Sequence, residues 1–237
     1  MSRVSFLIDL PHYPEAVRDP IFGKTVIMLR DLPFDLHAAE YDAWFEKHPA
    51  VFESELAAIR AAWPGHKPLK SLEIGAATGR FAHALEITEG LEPFGSMCEI
   101  AEKKGVQTYR GAAEDLPYGE LQFDVVLMNC ISCLESTERA FQEAYRVLKA
   151  GGCLLVPFID KGSKIGQYYE SRRNENVFYR HERFYSPAEV DAMIRKAGFK
   201  PSDFLQTLFN DLDQITVPEP VKPGYGEGSY VVAKAVK

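Results

Sequence analysis

Apolar positions recur along the chain at two different periods. From His37 to Trp63, Tyr41, Trp44, Phe45, Val51, Phe52, Leu56, Ile59 and Ala62 fall near helical spacing. Pro49 can open a helix but not continue one, so it divides this run into two helices. Beyond "PGHKP" the signals alternate. Strands are expected at "LKSLEIG", "EGLEP", "VQTYRG", "FDVVLMN" and "CLLVPFI", then near "DFLQTLF" and "SYVVAKAV". Between them lie helical patterns at "TGRFAHAL", "GSMCEIAEKKG", "STERAFQEAYRVLKAGG" and "SPAEVDAMIRKAGF". Such alternation predicts a doubly wound α/β sheet over residues 37–237. Gly151 is expected to stop the "EAYRVLKA" helix, and Ser186 with Glu189 forms a capping box with Pro187 at the first helical position. Residues 1–36 mix Pro and Asp with short apolar pieces. They are expected to form an N-terminal extension packed on the main body, with one strand in "FGKTVIMLRDLPF".

The first strand of the alternating region runs into "LEIGAATGRF", a glycine-rich turn opening a helix. A triphosphate loop needs a lysine and a hydroxyl after its last glycine, and here Gly79 is followed by Arg80 and Phe81. A dinucleotide fingerprint needs G-x-G-x-x-G, whereas Gly75-Ala76-Ala77-Thr78-Gly79 puts its second glycine four residues after the first. Glu73 lies two residues before the first glycine, where a carboxylate repels a pyrophosphate but suits an ammonium group. The free N–H groups opening the helix favour a carboxylate. The wanted ligand is thus an amino acid joined to a nucleoside. Glu92 ends the neighbouring strand, where a carboxylate can accept both hydroxyls of a ribose, of this ligand or of NAD. "GAAEDLP" follows the third strand and places Glu114 where an adenine edge is read. Together the three loops describe S-adenosylmethionine.

In this ordered set the chain resembles the class I S-adenosylmethionine-dependent methyltransferases, in particular the small-molecule and quinone-biosynthesis enzymes. The matching pieces are "LEIGAATGRF", "GLEP", "GAAEDLPY", "FDVVLMN" and "AYRVLKAGGCLLV". The resemblance implies a Rossmann-like seven-stranded sheet with its last strand antiparallel. It also implies cofactor contacts from Glu73, Gly75, Ala76, Ala77, Gly79 and Arg80 in the first loop. Glu92 and Pro93 would follow at the ribose, Ala113 and Glu114 at adenine, Asn129 after the fourth strand, and Tyr41 as an aromatic laid over the cofactor. Three departures stand out: Ala77 replaces the usual middle glycine, the first helix must be short, and Ala112 stands where many relatives have Asp.

Charge and composition narrow the acceptor. With 27 basic against 34 acidic residues and a net charge of −7, no general field draws the protein to phosphate backbones, which disfavours nucleic acid. No apolar run reaches the roughly 18 residues of a membrane span, and "VSFLIDL" is cut by Asp9, so a cytoplasmic location is expected. The basic stretch "SRRNENVFYR" keeps nucleic acid open, while the resemblance implies a small-molecule acceptor; oligomeric state is not legible. Cys130 and Cys133 form a C-x-x-C, yet Cys153 belongs to the opposite edge of the sheet, so no metal site is expected. The long insertion at residues 162–185 follows the fifth strand and, with Tyr41 and the "GYGEG" turn, is expected to be a lid over the methyl end of the cofactor, walled by Tyr168, Tyr169, Tyr179, His181 and Arg183. Within it His181 and Tyr179 are the candidate bases, should the acceptor be a hydroxyl or thiol. The readings from other classes are a non-catalytic S-adenosylmethionine-binding protein and an NAD-dependent oxidoreductase.

Overall fold

A computed structural model describes residues 17–18, 26–27, 32–65, 69–87, 89–175, 178 and 182–237. A two-stranded antiparallel ladder pairs β1 (Val17–Arg18) with β2 (Val26–Ile27), so the strand expected in "FGKTVIMLRDLPF" is present as two residues. Three helices follow: α1 (Leu32–Leu36), α2 (Ala38–Lys47) and α3 (Pro49–Ala62), the last opened by Pro49 as the sequence requires. The alternating region then supplies β3 (Ser71–Ile74), α4 (Arg80–Ala84), β4 (Glu89–Leu91), α5 (Gly95–Lys103), β5 (Gln107–Tyr109) and β6 (Phe123–Met128). It continues with α6 (Thr137–Val147), β7 (Leu148–Ile159), α7 (Lys164–Ser171), α8 (Pro187–Lys196), β8 (Asp203–Thr207), β9 (Lys222–Pro223) and β10 (Tyr230–Val236).

The main sheet has the order β5-β4-β3-β6-β7-β10-β8-β9. Pairs from β5 through β7 are parallel, and β10 runs antiparallel to both of its neighbours. This is the expected doubly wound sheet with its final long strand reversed, plus an eighth, two-residue strand at the edge. The central strands are apolar on both faces because helices cover both. Val126 and Met128 of β6 enter the core with Phe141 and Ile194, while Val125 and Leu127 join Leu56, Ile59 and Phe81 on the other side. The chain winds outward from β3 to β5 and returns to add β6 on β3's free side. The C-terminal ends of β3 and β6 therefore flank the switch-point crevice where such sheets bind ligands.

Two local expectations need correction. Helix α6 ends at Val147, not at Gly151, because Leu148 is fully buried and pairs with Phe123 in the sheet. The register then jumps to Val125↔Cys153, and Gly151 takes φ +77° within this irregularity. Burial of Leu148 in the core outweighs the helical pattern, and the exposed helix carbonyls find another donor: Lys237 Nζ bonds Tyr145 O and Leu148 O at 2.5 and 2.8 Å. Helix α4 is also shorter than two turns, at five residues. The capping box at Ser186 and Glu189 forms as expected.

Candidate active site

At the C-terminal edge of the sheet lies a cavity of about 650 Å³. Its floor is the loop after β3, held in a narrow set of conformations. Gly75 and Gly79 take φ +73° and +75°, and Ala77 takes +46°, so the residue that replaces the usual glycine sits in left-handed backbone. The N–H groups of Gly75 and Ala76 both donate to Leu91 O, at 2.9 and 3.1 Å, which ties this loop to the end of β4. Gly79 caps α4, and its missing side chain leaves room for Ala101.

Glu92 joins the first two loops. Its Oε2 accepts from Ala77 N at 2.8 Å and its Oε1 from Phe94 N at 3.1 Å. A carboxylate offers about four acceptor positions, and these bonds occupy two. The remainder, on a residue 4% exposed that lines the cavity, are available to ribose hydroxyls. Beyond Glu92 the wall is apolar: Leu91, Pro93, Phe94, Met97, Ala113 and Ile131. Phe34 of α1 lies nearly parallel to Phe94, ring centres 6.3 Å apart. Asp35 of the same short helix accepts from Ser96 N and Ser96 Oγ, at 3.1 and 2.7 Å, and so fastens α1 to the first turn of α5. Glu114 lines the cavity, but its Oε1 is engaged by the N–H groups of Glu135 and Ser136, at 2.9 and 3.1 Å, just before α6.

The first-loop carboxylate is placed differently from the simplest expectation. Glu73 is fully buried beneath the loop and does not line the cavity. Asn129 Nδ2 donates to its Oε1 at 3.2 Å, its Oε2 has no partner among the described residues, and Asn129 itself faces the cavity. Arg80 is committed to its neighbours: Nε and Nη2 grip the two oxygens of Asp42 at 2.7 and 2.8 Å, and Nη2 also reaches Glu46. Burial pushes against the charge on Asp42, but hydrogen bonds from Arg80, Thr78 and Lys104 overcome it and hold the carboxyl down to about 2. With Ala76, Arg80 borders a small crevice beside the main cavity. Thus Tyr41, Gly75, Ala77, Glu92, Pro93, Ala113, Glu114 and Asn129 are brought together at the cavity, whereas Glu73 and Gly79 support it from behind. Tyr179 and His181 lie outside the described residues.

Several lining residues escaped the sequence reading. At the end away from Glu92 the wall contains Trp44, Glu55, Pro157, Phe158 and Tyr230, together with Tyr169 of the insertion, which the sequence did offer. Glu55 carried a signal. It stands three residues after Phe52 and four before Ile59, a carboxyl on the apolar face of its helix. From the insertion at 162–185, Phe178 and Glu182–Tyr185 also line the cavity, while the glycines of "GYGEG" do not. Cys130 lines it beside Gly75, and Cys133 Sγ donates to Glu182 Oε1 at 3.3 Å. Burial raises both thiols, so neither is poised as a nucleophile.

Four carboxyl groups here are shifted toward their protonated forms. Burial is the main cause in each case, raising Glu55 and Glu73 to about 8 and Glu92 and Glu182 to about 7. In the unfolded chain these groups ionise near 4.5. The unfolded state therefore binds fewer protons between about pH 4.5 and 8, and stability falls as pH rises through that window. Asp42 and Glu189, both held near 2, titrate below it. The cofactor-free protein is expected to melt several degrees lower at pH 8 than at pH 5.5; a Tm that rises over that interval would contradict this.

A sheet reversed at its last long strand, with a glycine loop and a strand-end acid beside a cavity at its switch point, defines the class I methyltransferases. The family described as "Methyltransferase domain" matches residues 72–156. A Thermotoga maritima crystal structure, described as a SAM-dependent methyltransferase and "possible histamine N-methyltransferase", is 42% identical. It superposes with a TM-score of 0.83, covering 86% of this chain and 98% of that one. An uncharacterized protein of Methanocaldococcus jannaschii is 38% identical over 205 residues, which is 86% of this chain and 98% of that protein. A ubiquinone/menaquinone biosynthesis C-methyltransferase of Rhizobium etli is 32% identical over 168 residues, 57% of this chain and 65% of its own. The chain belongs to the S-adenosylmethionine-dependent methyltransferases, with S-adenosylmethionine as cofactor. The residues fit that cofactor: Glu92 offers unfilled acceptor positions at the cavity, beside the Gly75–Ala77 backbone and Asn129. Among the described residues no helix is long and apolar enough to cross a membrane, and no group of three or more His, Cys, Asp or Glu side chains is arranged to hold a metal ion.

Proposed function

We propose that this chain transfers the methyl group of S-adenosylmethionine to a small-molecule acceptor by in-line displacement. One observation carries the reading: a single cavity runs from the β3 and β4 loops, past Asn129 and Cys130, to the aromatic end at Trp44, Tyr169 and Tyr230. The cofactor supplies a methyl group already activated on sulfonium sulfur. The chain's own task is then positional. Glu92, Asn129 and the Gly75–Ala77 backbone fix one end of the cavity, and the aromatic end orients the acceptor. Tyr41, which packs edge-on against Phe34, Phe45 and Phe178, screens the space between from water. A purely binding role has no use for the second end of this cavity.

Purified protein incubated with S-adenosylmethionine and a fractionated cell extract tests the reading. S-adenosylhomocysteine is expected to accumulate only with the dialysable fraction, together with a product one methylene heavier than its precursor. Turnover that required the retained macromolecules instead would overturn the small-molecule assignment.

A further inference from the structure

The acceptor end of the cavity contains acidic and hydroxyl groups without a protein partner. Glu55 lines it from α3, partly exposed, and among the described residues its carboxyl makes no hydrogen bond or ion pair. Tyr230, at the start of β10, lines the same cavity while only 5% exposed, and its hydroxyl has no partner among the described residues. The two groups are close enough to influence each other: after burial, the Glu55 charge is the next cause that raises the Tyr230 phenol. A phenol buried in a cavity wall without a partner is costly unless a ligand meets it, and the solvent-reached Glu55 carboxyl is open to the same ligand. Trp44 and Tyr169 line the same cavity, and aromatic faces attract cations.

These groups belong to other elements than the cofactor loops, although Glu73 beneath the first loop also raises the Tyr230 phenol. Gly75, Ala77, Glu92 and Ala113 follow β3, β4 and β5, whereas Tyr230 pairs with Ile159 at the end of β7, two strands beyond β3 on the other side. Resting on the methyl-transfer reading above, we propose that the acceptor is a small molecule bearing a basic amine, that Glu55 and Tyr230 bind this amine, and that its nitrogen receives the methyl group.

The chemistry closes. An ammonium bound at Glu55 gives one proton to the carboxylate, leaving a neutral nitrogen with a free lone pair. That pair forms the new nitrogen–carbon bond as the carbon–sulfur bond breaks, and the bond's electrons stay on sulfur. Sulfonium becomes thioether, and the positive charge passes to the N-methylated product. Burial raises Glu55 to about 8 in the empty site, so an arriving ammonium first displaces the carboxyl's own proton to water, and the same burial then lets the carboxylate take a proton from the bound ammonium more readily than an ordinary carboxylate does.

The test is calorimetry on the full chain. S-adenosylhomocysteine is titrated first; then 2-phenylethylamine, tryptamine and cadaverine are titrated into that complex, alongside 2-phenylethanol and phenylacetate. At least one amine is expected to bind about 10-fold or more tighter than the alcohol and the acid. Glu55→Gln should abolish that preference while leaving S-adenosylhomocysteine affinity within about 2-fold, and Tyr230→Phe should weaken amine binding less. Four results would overturn the proposal: alcohol or acid bound as well as the amines, no amine bound, an amine preference retained in Glu55→Gln, or S-adenosylhomocysteine affinity lost in Glu55→Gln, which would put Glu55 on the cofactor. Absence of heat with S-adenosylhomocysteine in the wild-type protein is a different failure, that of the cofactor reading itself, and is seen before any amine is added.

Discussion

Glu92→Ala is expected to weaken S-adenosylhomocysteine binding by roughly 10- to 150-fold, corresponding to about 1.5–3 kcal/mol. Two losses contribute. The free acceptor positions of the carboxylate no longer meet the ribose hydroxyls. In addition, the bonds from Ala77 N and Phe94 N disappear, and with them the link between the first loop and the second. The second loss leaves two N–H groups to be satisfied by water, so the loop is less organised before ligand arrives. Burial raises Glu92 to about 7 in the empty site, so its charge is held there at a cost that removal relieves, which offsets part of the stability lost with the two bonds at pH 7. An unchanged dissociation constant, measured by calorimetry on protein with a wild-type Tm, would show that Glu92 does not touch the cofactor.

Gly75→Ala is expected to be the most damaging single methyl addition in the site. The left-handed backbone at φ +73° costs an alanine about 1–2 kcal/mol. Its Cβ would also lie 2.5 Å from Cys130 Cβ and 2.7 Å from Cys130 Sγ. Relieving that overlap costs about 1–3 kcal/mol more, because Cys130 is anchored just after β6 and its neighbours are packed. Together these give roughly 2–5 kcal/mol, or a fall in Tm of about 4–20 °C in a chain of this size. Adding Cys130→Gly should recover the overlap portion and leave the backbone portion. Thermal melts of the single and double variants separate the two, and a single variant within about 0.5 kcal/mol of wild type would contradict the close packing of loop and β6 end.

The cofactor half of the site was legible in the sequence because its determinants are local. Gly75, Ala77 and Gly79 lie within five residues, and a strand running into such a turn fixes where their N–H groups point. Glu92 was found for a similar reason: it terminates the next strand, and parallel neighbours end at the same edge. Roles were less legible than positions. Arg80 reads as a cofactor cation until Asp42 and Glu46, almost forty residues away in sequence, are seen to hold it. Glu73 reads as a ligand group until it is seen beneath the loop, with Asn129 between it and the cavity. The helix end near Gly151 was misplaced because periodicity continues through Leu148, whereas pairing with Phe123 decides the outcome. The acceptor end was the least legible. Glu55, Glu182 and Tyr230 are brought together only by the packing of α3 on β10 and by the path of the chain after β7. Phe34 likewise enters the site from a segment whose pattern suggested a mere extension.

The reading of this chain as an S-adenosylmethionine-dependent methyltransferase stands or falls on ligand choice. Calorimetric titration of the purified protein with S-adenosylhomocysteine, S-adenosylmethionine and NAD decides it. Saturable binding of the first two, lost or strongly weakened in Glu92→Ala, with no heat from NAD, is the predicted result; binding of NAD without binding of either S-adenosyl ligand would contradict it.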